Sequence, residues 1–396
     1  MQKLQKLSPR KLSVFLSRGV DSVLPRTQVA DALRRGVPLR IKLGIDPTTS
    51  HLHLGYMAVL RRLRTLQDLG HHAVIVVGAF TARFGDPTGK GAPRQMRGVT
   101  EVNAMARVLP KGLRKILDPA RTRIVSNSRW FEKMQLDEFL RIASAFTVAQ
   151  MLERDMFVMR KKSNTEVFLQ ELLYPVMQAY DSVAIHSTLT IVGSDQLFNE
   201  LAARRLQTSF NQQPQGLITL KILPGTDGKE KMSQSLGNTI GIFDDPGEKF
   251  GKLMSLPDHA VERYAELLSD LPLPSVRRAI AKGGIAARNA KIQVARAVIA
   301  QIDGEDAGRK AAHAFTQRFR FHKLSPRMPT FALRGTACTI IEVLVAARAV
   351  PSKSAARRLV LQGGVRVDGV QAQDQLIQVV KGSIIQIGKQ KSLRLV

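Results

Sequence analysis

A chain of 396 residues is long enough for two or three domains, each with a hydrophobic core. Its formal charge of +28 favours a polyanionic partner such as a nucleic acid, although a generally basic proteome would produce the same excess. The one cysteine, Cys338, excludes a disulfide framework and a cysteine-based metal site in this sequence. No run of 18 apolar residues occurs, so we expect no transmembrane helix and no membrane partner.

The N-terminal stretch, residues 1–18, is basic but lacks the apolar segment of a secretory signal. An organelle transit peptide is the less favoured alternative, because the stretch is short and its leucines follow a helical pattern. We therefore expect a cytoplasmic protein.

Four apolar runs predict the strands of a parallel sheet: 40–45, 73–78, 188–193 and 216–223. A helix predicted from Leu54 to Leu69 connects the first two strands as a βαβ unit. Each run ends in a loop rich in Gly, Pro, Asp or Ser. Ligands of open α/β sheets bind at the carboxyl ends of the strands, so these loops predict one common site.

The remaining patterns predict the domain organisation. Residues 127–181 have a helical pattern and interrupt the strands, residues 246–320 are helix-like and rich in Arg and Lys, and residues 322–329 contain two prolines and predict a linker. We expect a catalytic domain over 1–245 with a helical insertion at about 127–185, a helical domain over 246–325, and a small α+β domain over 331–396.

The last of these domains is a candidate RNA-binding unit. Its pattern predicts a helix over 352–362 that ends at two glycines, two short strands around Asp368-Gly369, and a strand pair at 383–387 and 392–396. It carries ten lysines and arginines against three acids. The candidate contacts to phosphate are Lys353, Arg357, Arg358 and Arg366. An ordinary basic domain is the alternative.

The loop after the first strand contains the motif Asp46-Pro47-Thr48-Thr49-Ser50-His51-Leu52-His53-Leu54-Gly55-Tyr56. The helix that follows directs its N-terminal N–H groups and its dipole toward the strand end, which suits phosphate. Thr48 and His53 are candidate donors to phosphoryl oxygens, and Gly55 lets a flat base approach the backbone. Taken by itself, the motif is equally consistent with a turn and a surface histidine.

A second motif, Lys231-Met232-Ser233-Gln234-Ser235, follows the fourth strand, with Lys229 just before it. Lysines on a Gly-rich loop suit the transient binding of a pyrophosphate leaving group. A solvated charged loop is the commoner outcome for such a stretch.

A third group of residues predicts a polar pocket on one helix face. Tyr174, Gln178 and Asp181 follow a spacing of i, i+4, i+7 among apolar neighbours, and Pro175 is predicted at the first helical position. If buried, these polar groups need partners. A solvent-facing stripe is the alternative.

The two motifs, the βαβ unit and the insertion resemble class I aminoacyl-tRNA synthetases, whose signatures are His-x-Gly-His and Lys-Met-Ser-Lys-Ser. Three further stretches, at 85–90 (Gly-Asp-Pro-Thr-Gly-Lys), 174–181 and 193–196 (Gly-Ser-Asp-Gln), narrow the resemblance to tyrosyl-tRNA synthetases of the bacterial type. This implies an α/β fold class: a Rossmann-like parallel-sheet catalytic domain with a helical insertion, then an α-helical domain on the anticodon side and a small α+β S4-like RNA-binding domain.

The resemblance implies a tyrosine–tRNA ligase that activates L-tyrosine with ATP to tyrosyl-adenylate and transfers it to the 3′ end of tRNA(Tyr). It also implies a homodimer formed through the insertion. ATP with Mg²⁺ would be the substrate complex, with no tightly bound cofactor and no protein metal site. Two alternatives are an impaired paralogue that binds RNA or regulates, and an adenylating ligase that acts on a small acceptor.

The resemblance also assigns residues to roles. It implies that Asp181 accepts from the phenol hydroxyl, that Tyr174, Gln178 and Asp86 hold the α-ammonium, and that Gln196 approaches the carboxylate. Asp195 would bind the ribose. The remaining candidates are Asp46 for tyrosine, Gly55, Tyr56 and Gln234 for ATP, and Thr48, His53, Lys229 and Lys231 for catalysis.

Three positions depart from the family pattern. Tyr56 replaces the last His of the first signature, Gln234 replaces the second Lys of the other, and Val192 occupies a position that is usually Gly. Lys231 remains, so the change at Gln234 is the mildest. We expect slower or weaker use of ATP, not its loss.

Overall fold

The computed structural model describes residues 4–48, 52–87, 96–320, 329–332, 337–368, 370–372, 377–388 and 391–396. The chain divides into two compact units, Met1–Arg309 and Lys310–Val396. The predicted linker, 322–329, lies outside the described residues except for Pro329.

A six-stranded sheet forms the centre of the first unit. Its strands are Val20–Leu24 (β1), Arg40–Ile45 (β2), His72–Val77 (β3), Thr122–Ser126 (β4), Leu189–Gly193 (β5) and Gly216–Leu220 (β6). Their order is β1-β6-β5-β2-β3-β4, with β1 antiparallel to β6 and the other neighbours parallel. The predicted α/β class with a parallel sheet is confirmed.

The sequence pattern does not predict the two edge strands, β1 and β4. The four predicted strands are buried almost throughout and therefore form continuous apolar runs. In contrast, β1 and β4 each bury one side chain, that of Val23 and that of Val125. Asp21 and Ser22 interrupt the apolar residues of β1, and Thr122, Arg123 and Ser126 leave only two apolar residues in β4, so neither strand forms the apolar run on which the prediction relies.

The described residues up to 320 also form helices, the last of which continues from the first unit into the second. In chain order they are Pro9–Phe15 (α1), Arg26–Arg35 (α2), Leu54–Asp68 (α3), Val99–Ala106 (α4), Leu109–Arg114 (α5), Ser128–Phe131 (α6), Leu136–Ala143 (α7), Val148–Leu152 (α8), Asp155–Lys162 (α9), Leu169–Ala184 (α10), Leu197–Ser209 (α11), Pro246–Met254 (α12), Asp258–Leu268 (α13), Leu273–Lys282 (α14), Gly284–Asp303 (α15) and Glu305–Arg320 (α16). Single 3₁₀ turns occur at Thr81–Arg83, Pro119–Arg121, Ser194–Gln196 and Gln234–Leu236.

Helices α6 to α10 lie between β4 and β5 along the chain, and α10 packs closely against α11. The prediction that Pro175 begins a helix is wrong, because α10 begins six residues earlier, at Leu169. Proline has no N–H to donate to the carbonyl of Glu171, so α10 carries one missing bond in its interior. The i, i+4, i+7 spacing of Tyr174, Gln178 and Asp181 nevertheless lies on one continuous helix.

The second unit is a small mixed domain. Its elements are Thr330–Phe331 (β7), Ala337–Thr339 (β8), Ile340–Ala346 (α17), Lys353–Leu361 (α18), Val365–Val367 (β9), Val370–Gln371 (β10), Gln378–Val380 (β11), Ile384–Ile387 (β12) and Lys391–Leu395 (β13). One sheet has the order β10-β9-β12-β13-β7 and a second pairs β11 with β8. A buried cluster that includes Leu344, Val360 and Ile385 joins the helices to the larger sheet.

Among the described residues, no helix combines the length and the apolar composition needed to cross a bilayer.

Candidate active site

Polar residues from four strand ends meet at the carboxyl edge of the sheet in the first unit. Asp46 follows β2, Thr81 follows β3, Asp195 follows β5 and Lys231 follows β6. The ammonium of Lys231 pairs with the carboxylate of Asp195, and Thr81 Oγ1 donates to Asp46 Oδ1 at 2.8 Å. The loops therefore converge as the strand pattern predicts.

Asp46 is held at the base of this site. Its Oδ2 accepts from the hydroxyl of Tyr174 at 2.8 Å. Gly78 makes room for it, because a Cβ at that position would lie 1.9 Å from Asp46 Oδ1. Burial raises the pKa of Tyr174 well above its usual value, and the Asp46 carboxylate adds to the effect. Tyr174 therefore stays a hydrogen-bond donor across the physiological range.

Asp181 is the deepest acid of the candidate pocket. Its Oδ1 accepts from Trp130 Nε1 at 3.0 Å, and its Oδ2 faces Asn127 Nδ2 at 3.5 Å. Burial raises the pKa of Asp181 to about 8, whereas the charge of Lys42 and these two donors act in the opposite direction. No motif in the sequence marks Trp130 or Asn127 as a contact of Asp181.

Gln178 and Gln196 belong to one amide network. Gln178 Nε2 donates to Gln196 Oε1 at 3.2 Å, and Gln196 Nε2 donates to Asp86 Oδ2 at 2.8 Å. Asn199 Nδ2 donates to the Oε1 atoms of both glutamines, at 2.8 and 3.0 Å. The structure thus joins Asp86, Gln178 and Gln196, which the sequence places far apart, and it adds Asn199.

A buried ion pair adjoins the pocket. Lys42 Nζ lies 3.0 Å from Glu200 Oε2, and each side chain is 1% exposed. Lys42 interrupts the apolar pattern of β2. This interruption is the one feature of the sequence that marks the ion pair. No corresponding signal marks Glu200, which lies on an ordinary amphipathic helix, α11.

His53 caps helix α3 in the first motif. Its Nδ1 accepts from the N–H of Gly55 at 3.2 Å, and its ring lies 4.9 Å from that of Tyr56. Burial, together with the charge of Lys231, lowers the pKa of His53 to about 4. The ring is therefore neutral at pH 7, with its proton on Nε2, and Nε2 is the atom that can donate to a ligand.

Other residues of this motif have mainly backbone contacts. The N–H of Thr48 donates to Asp46 O at 2.8 Å, and Thr48 O accepts from Arg97 Nη1 at 2.9 Å. Residues 49–51 lie outside the described residues, as do 88–90 of the Gly85–Lys90 stretch.

The loop that carries the second motif is organised by Asp227 and Asn238. Asp227 Oδ1 accepts from the N–H groups of Lys229 and Glu230 at 2.6 and 2.8 Å, and Asn238 Oδ1 accepts from the N–H of Ser233 at 2.8 Å. The Lys229 side chain is exposed, and Gln234 begins a 3₁₀ turn. The backbone of the loop is thus fixed while its lysines reach solvent.

Backbone hydrogen bonds connect the first motif to residues 240–242, which follow the second motif. The N–H of Leu54 donates to Ile240 O at 2.9 Å, and the N–H of Ile242 donates to Leu52 O at the same distance. His53 and Gly241 therefore form an isolated β-bridge. Residues about 190 positions apart in the sequence are thus held in one register.

Val192 lies in the interior of the sheet. Its side chain is 4% exposed, and it pairs with Thr219 of β6.

In the second unit, the predicted RNA contacts Lys353, Arg357 and Arg358 lie on α18, Arg366 lies on β9, and all four side chains are exposed.

The described residues contain no group of three or more His, Cys, Asp or Glu side chains placed to hold a metal ion.

Two family models match the chain. The model of class I tRNA synthetases for tryptophan and tyrosine matches residues 34–320. The model of the tyrosine–tRNA ligase SYY-like C-terminal domain matches residues 321–388.

Full-length relatives are similar along nearly the whole chain. A tyrosine–tRNA ligase of Moorella thermoacetica is 40% identical over 402 residues, covering 99% of this chain and 97% of the relative. One from Thermotoga maritima is 39% identical over 98% of both chains. One from Bordetella pertussis is 41% identical, covering 95% and 94%.

Solved structures share the fold. A truncated mitochondrial tyrosyl-tRNA synthetase of Aspergillus nidulans superimposes with a TM-score of 0.63 at 22% identity, covering 78% of this chain and 94% of that structure. Tyrosyl-tRNA synthetase from Archaeoglobus fulgidus, solved with L-tyrosine, gives 0.61 at 21% identity, covering 76% and 99%.

Proposed function

This chain belongs to the tyrosine–tRNA ligase family of class I tRNA synthetases, and from that premise we propose that its strand-end site joins L-tyrosine to tRNA(Tyr) in two steps. ATP first activates tyrosine to tyrosyl-adenylate, and the aminoacyl group then passes to the 3′ end of the tRNA. As an aminoacyl-tRNA ligase related over its full length to tyrosine enzymes, the chain fits this reaction better than either alternative, the impaired paralogue or the ligase for a small acceptor.

The observation that carries the proposal is the juxtaposition of Asp181, the amide network and the Lys231 loop at one sheet edge. We assign the buried Asp181 to the phenol hydroxyl and Tyr174, Gln178 and Asp86 to the α-ammonium. Gln196 lies within hydrogen-bond reach of Asp86 and Gln178 and is assigned to the carboxylate. Asp46 contributes by fixing the hydroxyl of Tyr174.

ATP is assigned to the neighbouring strand ends. Asp195 would bind the ribose, Gly55, Tyr56 and Gln234 would line the nucleotide site, and His53 and Thr48 would donate to phosphoryl oxygens. Lys229 and Lys231 would neutralise the leaving pyrophosphate. The tyrosine carboxylate itself attacks the α-phosphorus, so the protein contributes positioning and electrostatic stabilisation rather than a nucleophile.

Mg²⁺ would accompany ATP, bound mainly by phosphate oxygens. We further propose a cytoplasmic location, in keeping with translation in the bacteria that carry the relatives.

The charging of total tRNA with labelled tyrosine tests the proposed function. We expect ATP-dependent incorporation that is lost in both the Asp181→Ala and Lys231→Ala variants. RNA binding without any incorporation by the unaltered chain would overturn the proposal.

The second unit supplies a surface for RNA. Four exposed cations, Lys353, Arg357, Arg358 and Arg366, lie on α18 and β9. Phe331 is the last aromatic residue of the chain, so this surface has few means of stacking on bases. Contacts with the phosphate backbone of a structured RNA fit it better than base recognition.

Tyr56 is expected to limit the use of ATP. Its ring lies against His53, where a smaller side chain would leave more room for the nucleotide. We expect Tyr56→His to raise the rate of tyrosine-dependent pyrophosphate exchange about 3- to 10-fold, the effect of one hydrogen bond. Tyr56→Phe removes only the hydroxyl and should lower the rate. Equal rates in the parent and both variants would contradict this role.

The insertion offers a surface for a second copy of the chain. Its exposed large apolar side chains are Leu136, Leu140, Val148, Val158, Met159, Phe168 and Leu169. Exposed apolar side chains in this number on one insertion suit a two-fold interface between identical subunits. We therefore propose a homodimer.

The double variant Leu136→Asp/Leu140→Asp should dissociate this dimer, because two desolvated charges would face each other across the interface. Sedimentation velocity should show the mass of one subunit for the variant and of two for the parent. Ile285→Asp, at an apolar position of α15 that is 77% exposed, is the matched control and should remain dimeric. A parent that sediments as one subunit would refute the proposal.

A further inference from the structure

The buried pair of Lys42 and Glu200 lies directly behind the helix that carries the candidate tyrosine ligands. Lys42 is in the central strand β2, and Glu200 is on α11. Removing two charges from water costs more than a single ion pair usually returns, so such a pair is weak grounds for a purely stabilising role. Its hydrogen-bond partners indicate another role.

Lys42 acts toward the phenol end of the pocket. Its Nζ donates to Ser182 Oγ at 2.6 Å, and Ser182 is the neighbour of Asp181 on α10. Among the groups that oppose the effect of burial on the pKa of Asp181, the charge of Lys42 is the largest. The other groups that face Asp181 are Asp46, which raises its pKa, and the donors Trp130 and Asn127, which lower it.

Glu200 contacts a residue at the ammonium end of the pocket. Its Oε1 accepts from Gln178 Nε2 at 3.0 Å, while its Oε2 accepts from Gln215 Nε2 at 2.8 Å in addition to the contact with Lys42. Because the NH₂ group of Gln178 is bound to Glu200, its Oε1 must be the acceptor side of the amide. This oxygen also accepts from Asn199 Nδ2 at 2.8 Å, and its second lone pair suits the α-ammonium of an amino acid.

We propose that the Lys42–Glu200 pair is a positioning device that sets the selectivity of the pocket for tyrosine over phenylalanine. Lys42 supports the negative charge of Asp181 where the phenol hydroxyl binds, and Glu200 fixes the amide of Gln178 where the ammonium binds. The inference rests on the proposed function of this pocket. One buried pair thereby connects the two ends of the substrate through α10.

Pyrophosphate exchange measured against tyrosine, phenylalanine and pH tests this role. We expect Lys42→Met to raise the KM for tyrosine about 10- to 100-fold, the range for losing an interaction with a charged group, and to leave the KM for ATP unchanged. The rise of kcat/KM with pH should move to higher pH, because Asp181 loses the cation that favours its ionised form. Selectivity for tyrosine over phenylalanine should fall by a similar factor.

Two further variants separate this role from a general loss of stability. Lys42→Met/Glu200→Met removes both charges, so it should fold about as well as the parent while its selectivity stays low. Lys249→Met is the matched control, since Lys249 is equally buried, 2.5 Å from Asp303 Oδ2, in the helical part of the same unit. It should melt at a lower temperature and keep the tyrosine KM and pH profile of the parent.

The outcomes are distinct. A parent without tyrosine-dependent exchange would overturn the proposed function and this inference together. An active parent whose Lys42→Met and double variants keep the same tyrosine KM and pH profile would overturn the inference and leave the proposed function standing. If Lys249→Met changed the tyrosine KM and the pH profile as much as Lys42→Met does, the inference would also be overturned.

Discussion

Replacing Lys231 with alanine is expected to lower the rate of tyrosine-dependent pyrophosphate exchange by about 10²- to 10³-fold, the usual cost of losing one donor aimed at developing charge. The Lys231 side chain is 57% exposed on a loop whose backbone is fixed by Asp227 and Asn238. In the free protein its ammonium pairs with Asp195. ATP offers phosphate oxygens in place of that carboxylate, and the charge on them grows as pyrophosphate leaves.

The loss should fall on kcat, because the contact strengthens in the transition state. The KM for tyrosine should change little, since Lys231 is not in contact with the network of Asp181 and Gln178. Lys221→Ala is the matched control, as Lys221 follows β6 and pairs with Glu266 at 2.8 Å. A rate in Lys231→Ala equal to that of this control would refute the assigned role.

The parts of the site that short motifs encode could be predicted from the sequence. Asp46 directly follows an apolar run, Asp195 and Lys231 lie in the loops after two others, and parallel strands bring their carboxyl ends to one edge. The position of each residue after its strand therefore determines where its side chain lies. The same reasoning places Tyr174, Gln178 and Asp181 on one helix face, because the spacing of a helix is fixed.

The groups that surround these residues could not be predicted in this way. Asn127 and Trp130 reach Asp181 only because β4 lies beside β3, and β4 is an edge strand with one buried residue. Glu200 meets Lys42 across 158 positions of the sequence, through the packing of α11 against the sheet. Local patterns describe a residue's own element, whereas these contacts depend on how elements pack together.

His53 illustrates how the structure refines a motif. The sequence predicts a hydrogen-bond donor, and the structure shows which nitrogen can fill that role. Nδ1 is occupied by the N–H of Gly55, and burial keeps the ring neutral by lowering its pKa to about 4. The first motif thus contributes a neutral hydrogen-bond donor. The positive charge that neutralises the leaving pyrophosphate comes from the lysines of the second motif. The backbone bonds of Leu54 and Ile242 hold the first motif against the segment that follows the second.

Above pH 8, where the Asp181 carboxylate forms, replacing Asp181 with asparagine is expected to lower kcat/KM for tyrosine by about 10- to 100-fold, because a charged acceptor buried at the phenol site is lost. Asparagine also turns an NH₂ group toward one of the two donors, Trp130 Nε1 or Asn127 Nδ2, which loses its acceptor. Phenylalanine has no hydroxyl to lose, so its kcat/KM should change far less. Pyrophosphate exchange with tyrosine and with phenylalanine measures how far the preference for tyrosine falls.

The pH dependence provides the sharper test. The pKa of Asp181 in the folded chain, about 8, lies above that of an unfolded aspartate, about 3.9, so the folded state holds a proton that the unfolded state releases between these values. The proton bound to Asp181 stabilises the folded state fully at low pH, and this stabilisation is lost as the pH rises through 8. Asp181→Asn should therefore melt at a higher temperature relative to the parent at pH 9 than at pH 6. The parent's kcat/KM for tyrosine should rise through the same range as the carboxylate forms, and that rise should be absent in the variant. A parallel pH profile in the two proteins would show that Asp181 does not receive the phenol hydroxyl.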